Sequence, residues 1–191
     1  MLGLAFFNRK IYNYMFPTKE VKHMDNPIDV LYILESLGLT LFFAGLIGFE
    51  RQSKHKVAGL TTHMLVALGA ASLAVVQEYL FQDTLAIVLE YQDNNAVIQA
   101  IVLERQRIVA GIVAGVGFLG TGTIIKTKGS IHGLTTASSL WIAAIIGISF
   151  GLGHYLLGII VSVLALLTLT IVKRMFRTLY VEETDVEIDE G

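Results

Sequence analysis

Cysteine is absent from the 191 residues, so disulfides, thiolate nucleophiles and cysteine-ligated metals are excluded. Charge is scarce too: Asp, Glu, Lys and Arg supply 16% of the chain, against about 25% in soluble domains. That leaves too little polar surface to cover a globule in water. No Walker loop or HExxH pattern occurs, and enzymatic activity is not expected. Neither a basic RNA-like stripe nor an aromatic RNP pattern is present, which argues against nucleic acid as a partner. The net charge of −2 carries little information, because the charges are segregated along the chain.

What the chain has is apolar length. Hydrophobic residues make up 54%, and the mean hydropathy is +0.65. They fall into blocks near the ~20 residues that cross about 30 Å of hydrocarbon as a helix. The expected fold is all-α, a polytopic membrane protein with five spans near 27–49, 61–80, 108–125, 134–150 and 154–172. Residues 1–26 mix aromatics with Arg9 and Lys10, as an interfacial helix or an unstructured arm would. Their apolar start is too short for a span and lacks a small-residue cleavage site, so no signal peptide is read there. Residues 27–173 form the expected transmembrane domain, and the acidic tail 174–191 is expected to be disordered. Within residues 81–106, two apolar pieces flank the polar break Tyr-Gln-Asp-Asn-Asn; each is too short to cross, and a partly helical extramembrane or interfacial loop is expected.

Residues 107–141 carry the densest pattern. Gly111, Gly115, Gly117, Gly120 and Gly122 crowd one apolar segment. Glycine at this density weakens a helix in water but lets helices approach closely in lipid. These five are the expected helix-packing residues, within the chain or across a homodimer, and Gly147/Gly151 repeats the spacing of Gly111/Gly115.

A repeat underlies the order. Gly59-Leu60-Thr61-Thr62 recurs as Gly133-Leu134-Thr135-Thr136, a shift of 74 that also sets Gly48 on Gly122 and Lys54 on Lys128. One tetrapeptide can recur by chance, but the shared context favours a duplicated two-helix hairpin. A shift across two spans preserves orientation, so the copies would be parallel. Thr61, Thr62, Thr135 and Thr136 suit helix starts, where hydroxyls satisfy orphan amides, and could rim a polar vestibule around a central pathway.

Ionisable residues in or beside spans are default functional candidates: Glu35, Glu50, Arg51, Glu104 and Arg107, with His63, Glu78 and His154 beside them. Glu35 and Glu50 stand 15 residues apart, about 22 Å along one helix, too far to share an ion. A Glu35–Arg107 pair is expected from their matching depth, whereas Glu50 and Arg51 are expected to anchor the inner end of span one. His63 and His154 are expected to be hydrogen-bonded, and Trp141 to pack. Mg²⁺ takes oxygen ligands octahedrally; no acidic cage is visible, so a site for it stays unassigned. Lys and Arg of the turns after spans one and three, with the C-terminal flank, outnumber the other side eight to six, which places the C-terminus in the cytoplasm.

Taken together, GLIGFERQ (45–52), AGLTTHMLVALGAA (58–71), RIVAGIVAGVGFLGTGTIIK (107–126) and GLTTASSLWIAAIIG (133–147) resemble the MgtC/SapB family of bacterial inner-membrane proteins. The resemblance implies about five membrane helices and a role in magnesium homeostasis, with Mg²⁺ transport as its strongest form. It equally allows a regulatory protein that binds another membrane complex, such as the ATP synthase. By motif, the family's Glu-Arg pair falls on Glu50 and Arg51, its Gly-Phe-Leu-Gly element on Gly117 to Gly120, its Gly-Leu-Thr-Thr-Ala on Gly133 to Ala137, and the Arg opening its third helix on Arg107. The chain departs from the family at Thr61, where arginine is usual, and at Glu104 and Arg105, where aspartate and proline are. It also lacks the C-terminal soluble domain of longer members.

Overall fold

In the computed structural model the backbone is described for residues 30–90, 95–127 and 130–172, and side chains for 30–82, 107–127 and 130–171. The expectations for the N-terminal arm and the acidic tail therefore lie outside the described residues. Among the described residues five α-helices follow one another: α1 Val30–Ser53, α2 Leu60–Glu90, α3 Asn95–Gly122, α4 Leu134–Gly151 and α5 Tyr155–Leu167, the last running into a π-helical turn, Thr168–Val172. The protein is an all-α membrane protein, and each helix overlies one expected span. By length and composition, Val30–Ser53, Leu60–Gln82 and Leu134–Gly151 can cross a membrane, while Arg107–Gly122 and Tyr155–Ile171 are shorter apolar helices.

Two expectations are corrected. Residues 81–106 are not chiefly a loop: α2 runs on to Glu90 and α3 starts at Asn95, so both apolar pieces extend the helices beside them. The basic turn between α3 and α4 contains a small antiparallel β-ribbon. Strands β1 Ile125–Thr127 and β2 Ser130–His132 set Ile125 against His132 and Thr127 against Ser130. β-branched residues in both strands suit that pairing.

Helix α4 is the hub. Of its span 61% is buried, against 28% for α1 and 33% for α2. On one side Ala144 and Ile148 pack with Ala70 of α2 and with Ile112 and Val116 of α3. On the other, Ile146 and Phe150 pack with Ile47 of α1, and Phe43 and Tyr155 close over them. Ala44, Ala67 and Ala143 meet where α1, α2 and α4 cross.

Glycine sets the closest approach. A Cβ on Gly147 would lie 2.2 Å from the carbonyl oxygen of Ala67, and one on Gly151 would lie 2.5 Å from that of Ala71. The backbones of α2 and α4 thus touch, and the contacts rise together along both helices. The two helices run parallel, with both Gly-Leu-Thr-Thr segments at the same end. The duplicated-hairpin reading therefore holds in its orientation. Buried hydroxyls find acceptors in their own helices: Thr40 donates to the Ser36 carbonyl (2.7 Å), Ser149 to Ile145 (2.8 Å) and Ser162 to Gly158 (2.7 Å). That suits a medium offering no other partner.

Candidate functional site: a buried charge cluster and a lateral groove

The last turn of α1 carries the charge. Because α1 continues to Ser53, Glu50 and Arg51 are not rim anchors but lie inside the bundle, 9% and 1% exposed. Glu50 is held by two cations: Lys54, one helical turn on, forms an ion pair with Oε1, and Arg51 Nη1 lies 3.7 Å from Oε2. Lys54 Nζ also reaches the Leu169 carbonyl at 3.4 Å, tying the end of α1 to the π-helical turn after α5. Among the described residues Glu50 Oε2 and Arg51 Nε and Nη1 are buried without a hydrogen-bond partner. Such groups are rare in native interiors.

Beside this pair stands His63, in the first turn of α2 and fully buried. Nδ1 lies 2.8 Å from the Gly59 carbonyl, which can only accept, so Nδ1 carries hydrogen. Nε2 lies 3.0 Å from the Ser139 hydroxyl on α4, which can either donate or accept. His63 is hydrogen-bonded, as expected, and it clamps α2 to α4. The start of α2 is capped from α1, since Leu60 N–H donates to Gln52 Oε1 at 3.0 Å. At α4 the N-cap is Gly133, at φ +91°, with no side-chain cap bond. The expected capping by threonine hydroxyls is thus replaced by Gln52 at one copy and by a bare glycine cap at the other.

The remaining candidates separate. Glu35 and Arg107 are both exposed and do not pair. They stand on α1 and α3, whose core contacts lie on different sides of α4. Depth along the membrane matched; direction around the bundle did not. The Glu104 side chain lies outside the described residues. Thr135 is exposed and Thr136 buried. Trp141, expected to pack, is 42% exposed, and His154 is exposed at the N-cap of α5.

Of the five clustered glycines, only Gly120 meets a neighbour, Ala137 at 3.5 Å; a Cβ on Gly111, Gly115, Gly117 or Gly122 would touch nothing within 4 Å. Within the chain they make no seam. Several of them line a groove instead. A cavity of about 630 Å³ is lined by Thr61, Thr62 and Gly122, and one of about 680 Å³ adjoins it, lined by Gly69, Gly111 and Gly115. Both open between α2 and α3. The candidates Thr61, Thr62, Gly111, Gly115 and Gly122 are therefore brought together on the side of the bundle, not around its axis.

Residues 37–178 match the MgtC family. The chain belongs to that family. The MgtC-family relatives include a protein named putative magnesium transporter YhiD of Escherichia coli K12, 39% identical over 72% of this chain and 59% of its own. Protein SrpB of Synechococcus elongatus is 36% identical over 82% of this chain and 83% of its own. Protein MgtC of Salmonella typhimurium is 38% identical over 65% of this chain and 45% of its own. The chain spans about three fifths of the YhiD protein and less of MgtC. No solved structure matches.

Proposed function

We propose that this MgtC-family protein is a non-enzymatic protein of the bacterial inner membrane, serving magnesium homeostasis by association with another membrane protein rather than by conducting an ion. The observation that carries this reading is the contact of Gly147 and Gly151 with the backbone at Ala67 and Ala71, which fills the axis where a pathway would run. The chemistry of the buried carboxylate agrees. Glu50 already faces Lys54 and Arg51, and a carboxylate flanked by two cations is a poor ligand for Mg²⁺, which needs a shell of oxygens. The ATP synthase is one partner of the required kind. The basic ends of the α1–α2 and α3–α4 connections would face the cytoplasm, with the C-terminus on the same side.

A second reading, Mg²⁺ transport, draws on the name of the E. coli relative. Purified protein in liposomes loaded with a Mg²⁺-sensitive dye separates the two. Association predicts no protein-dependent flux and a partner that co-purifies from the native membrane. Protein-dependent flux would establish transport instead.

A further inference from the structure

The α2–α3 groove has two chemically different ends. Toward the middle of α2 its walls are apolar, with Leu73, Ile108 and Ile112 around the glycines. Toward the start of α2 they carry four threonines, Thr61, Thr62, Thr121 and Thr123. Thr121 and Thr123 donate their hydrogens inward, to the carbonyls of Gly117 and Gly120, while Thr61 and Thr62 are exposed.

Charge follows the same polarity. Residues 51–62 and 121–136 hold Arg51, Lys54, Lys56, Lys126 and Lys128 and no Asp or Glu. Lys56 and Lys126 are exposed within a few residues of the threonine-lined walls. From Thr61 to Leu73 the groove runs about 18 Å along α2, close to the ~15 Å depth of one leaflet. Each of its two cavities falls in the range of about 300–1,000 Å³ typical of small-ligand sites. A ligand that matches an apolar slot one leaflet deep with a hydroxyl-lined, positively charged mouth has a hydrocarbon chain and an anionic head.

We propose that this groove binds an anionic phospholipid of the basic-side leaflet. One acyl chain lies along Gly69, Gly111 and Gly115, and the phosphate is met by Thr61, Thr62, Lys56 and Lys126. The glycines leave room for the chain rather than for a helix of the same protein. The site is independent of whether the protein transports or regulates.

The test uses the full chain extracted from vesicles of equal phosphatidylglycerol and phosphatidylcholine, with retained lipid counted by native mass spectrometry. Wild type should retain phosphatidylglycerol in about thirtyfold excess, as expected for two exposed lysines at a membrane surface. Gly115→Leu should remove most retained lipid of either head group. It should leave the fold intact, since nothing lies within 4 Å of the Cβ position, and an unchanged melting temperature checks this. Lys56→Gln with Lys126→Gln should abolish the preference for phosphatidylglycerol while one lipid is still held. Equal retention of both lipids by wild type, or undiminished retention in Gly115→Leu, would overturn the proposal. So would a Gly115→Leu variant that passes from dimer to monomer with lipid retention unchanged, which would make the groove the seat of a second copy.

Discussion

Glu50 is where the charges of the bundle meet. It faces a buried guanidinium and a half-exposed ammonium, and the two cations stand unequally toward it. Arg51 approaches at 3.7 Å with Nη1 unbonded, whereas Lys54 makes a direct ion pair. Removing the carboxylate leaves a buried cation without its counter-charge, which costs about 3–5 kcal/mol. Glu50→Gln should therefore lower the melting temperature in detergent sharply. Arg51→Met keeps the Lys54 pair and replaces a poorly bonded buried charge with a packed apolar chain, so it should be close to neutral. A larger loss in Arg51→Met than in Glu50→Gln would reverse this assignment. Ser139→Ala removes one bond from His63 and should cost about 1 kcal/mol, read as a modest drop in the same melt. The motif located Glu50 and Arg51 in the sequence, but nothing local signalled their burial. That comes from α1 continuing to Ser53 and from Gln52 folding the hairpin back onto Leu60. Glu35 and Arg107 failed as a pair for a related reason. Position in a span gives a residue's height in the membrane but not the direction it faces.

Among the helices, glycines that look alike in sequence do different things. Gly133 holds φ +91°, and a Cβ there would fall 1.9 Å from the Thr123 carbonyl oxygen; at Gly59 the nearest obstacle is the flexible Gln52 side chain, at 2.9 Å. Gly133→Ala should disrupt the junction of the β-ribbon with α4 and abolish stable expression, while Gly59→Ala should be tolerated with a small loss. Comparable behaviour of the two would mean that the repeat units are closer equivalents than their geometry indicates. The two GxxxG spacings divide in the same way. Gly147→Ala and Gly151→Ala drive methyl groups into the backbone of α2, and overpacking of this kind costs about 1–3 kcal/mol. Gly111→Ala and Gly115→Ala meet open space and should leave the melt unchanged or raise it, since alanine favours a helix over glycine by about 0.8–1.0 kcal/mol. Spacing alone could not sort these pairs, because it places residues on one face without saying what that face meets. The β-ribbon has a sequence signal in Ile125, Thr127 and Ile131, set inside a turn that is otherwise basic.

Across the whole molecule, the sequence carried the helix order, the span positions and the sense of the repeat, because apolar length and a recurring Gly-Leu-Thr-Thr are read directly from residues. It did not carry the hub role of α4 or the lateral position of the groove, which depend on how five helices turn about one another. Nor did it carry the continuation of α2 and α3 into 81–106, where each apolar piece is too short to span alone and instead extends a longer helix. The parallel contact of α2 with α4 underlies all of this: it closes the axis, fixes both hairpins at one end and leaves every glycine of α3 but Gly120 facing outward. Because the chain has no cysteine, that contact can be tested in native membranes by disulfide formation between introduced pairs. Ala67→Cys with Ala143→Cys, both fully buried where α1, α2 and α4 cross, should oxidise readily. Ala74→Cys with Ala143→Cys, about 10 Å further along α2, should not. Crosslinking of the 74–143 pair in preference to 67–143, or of neither, would contradict the parallel glycine-sealed core.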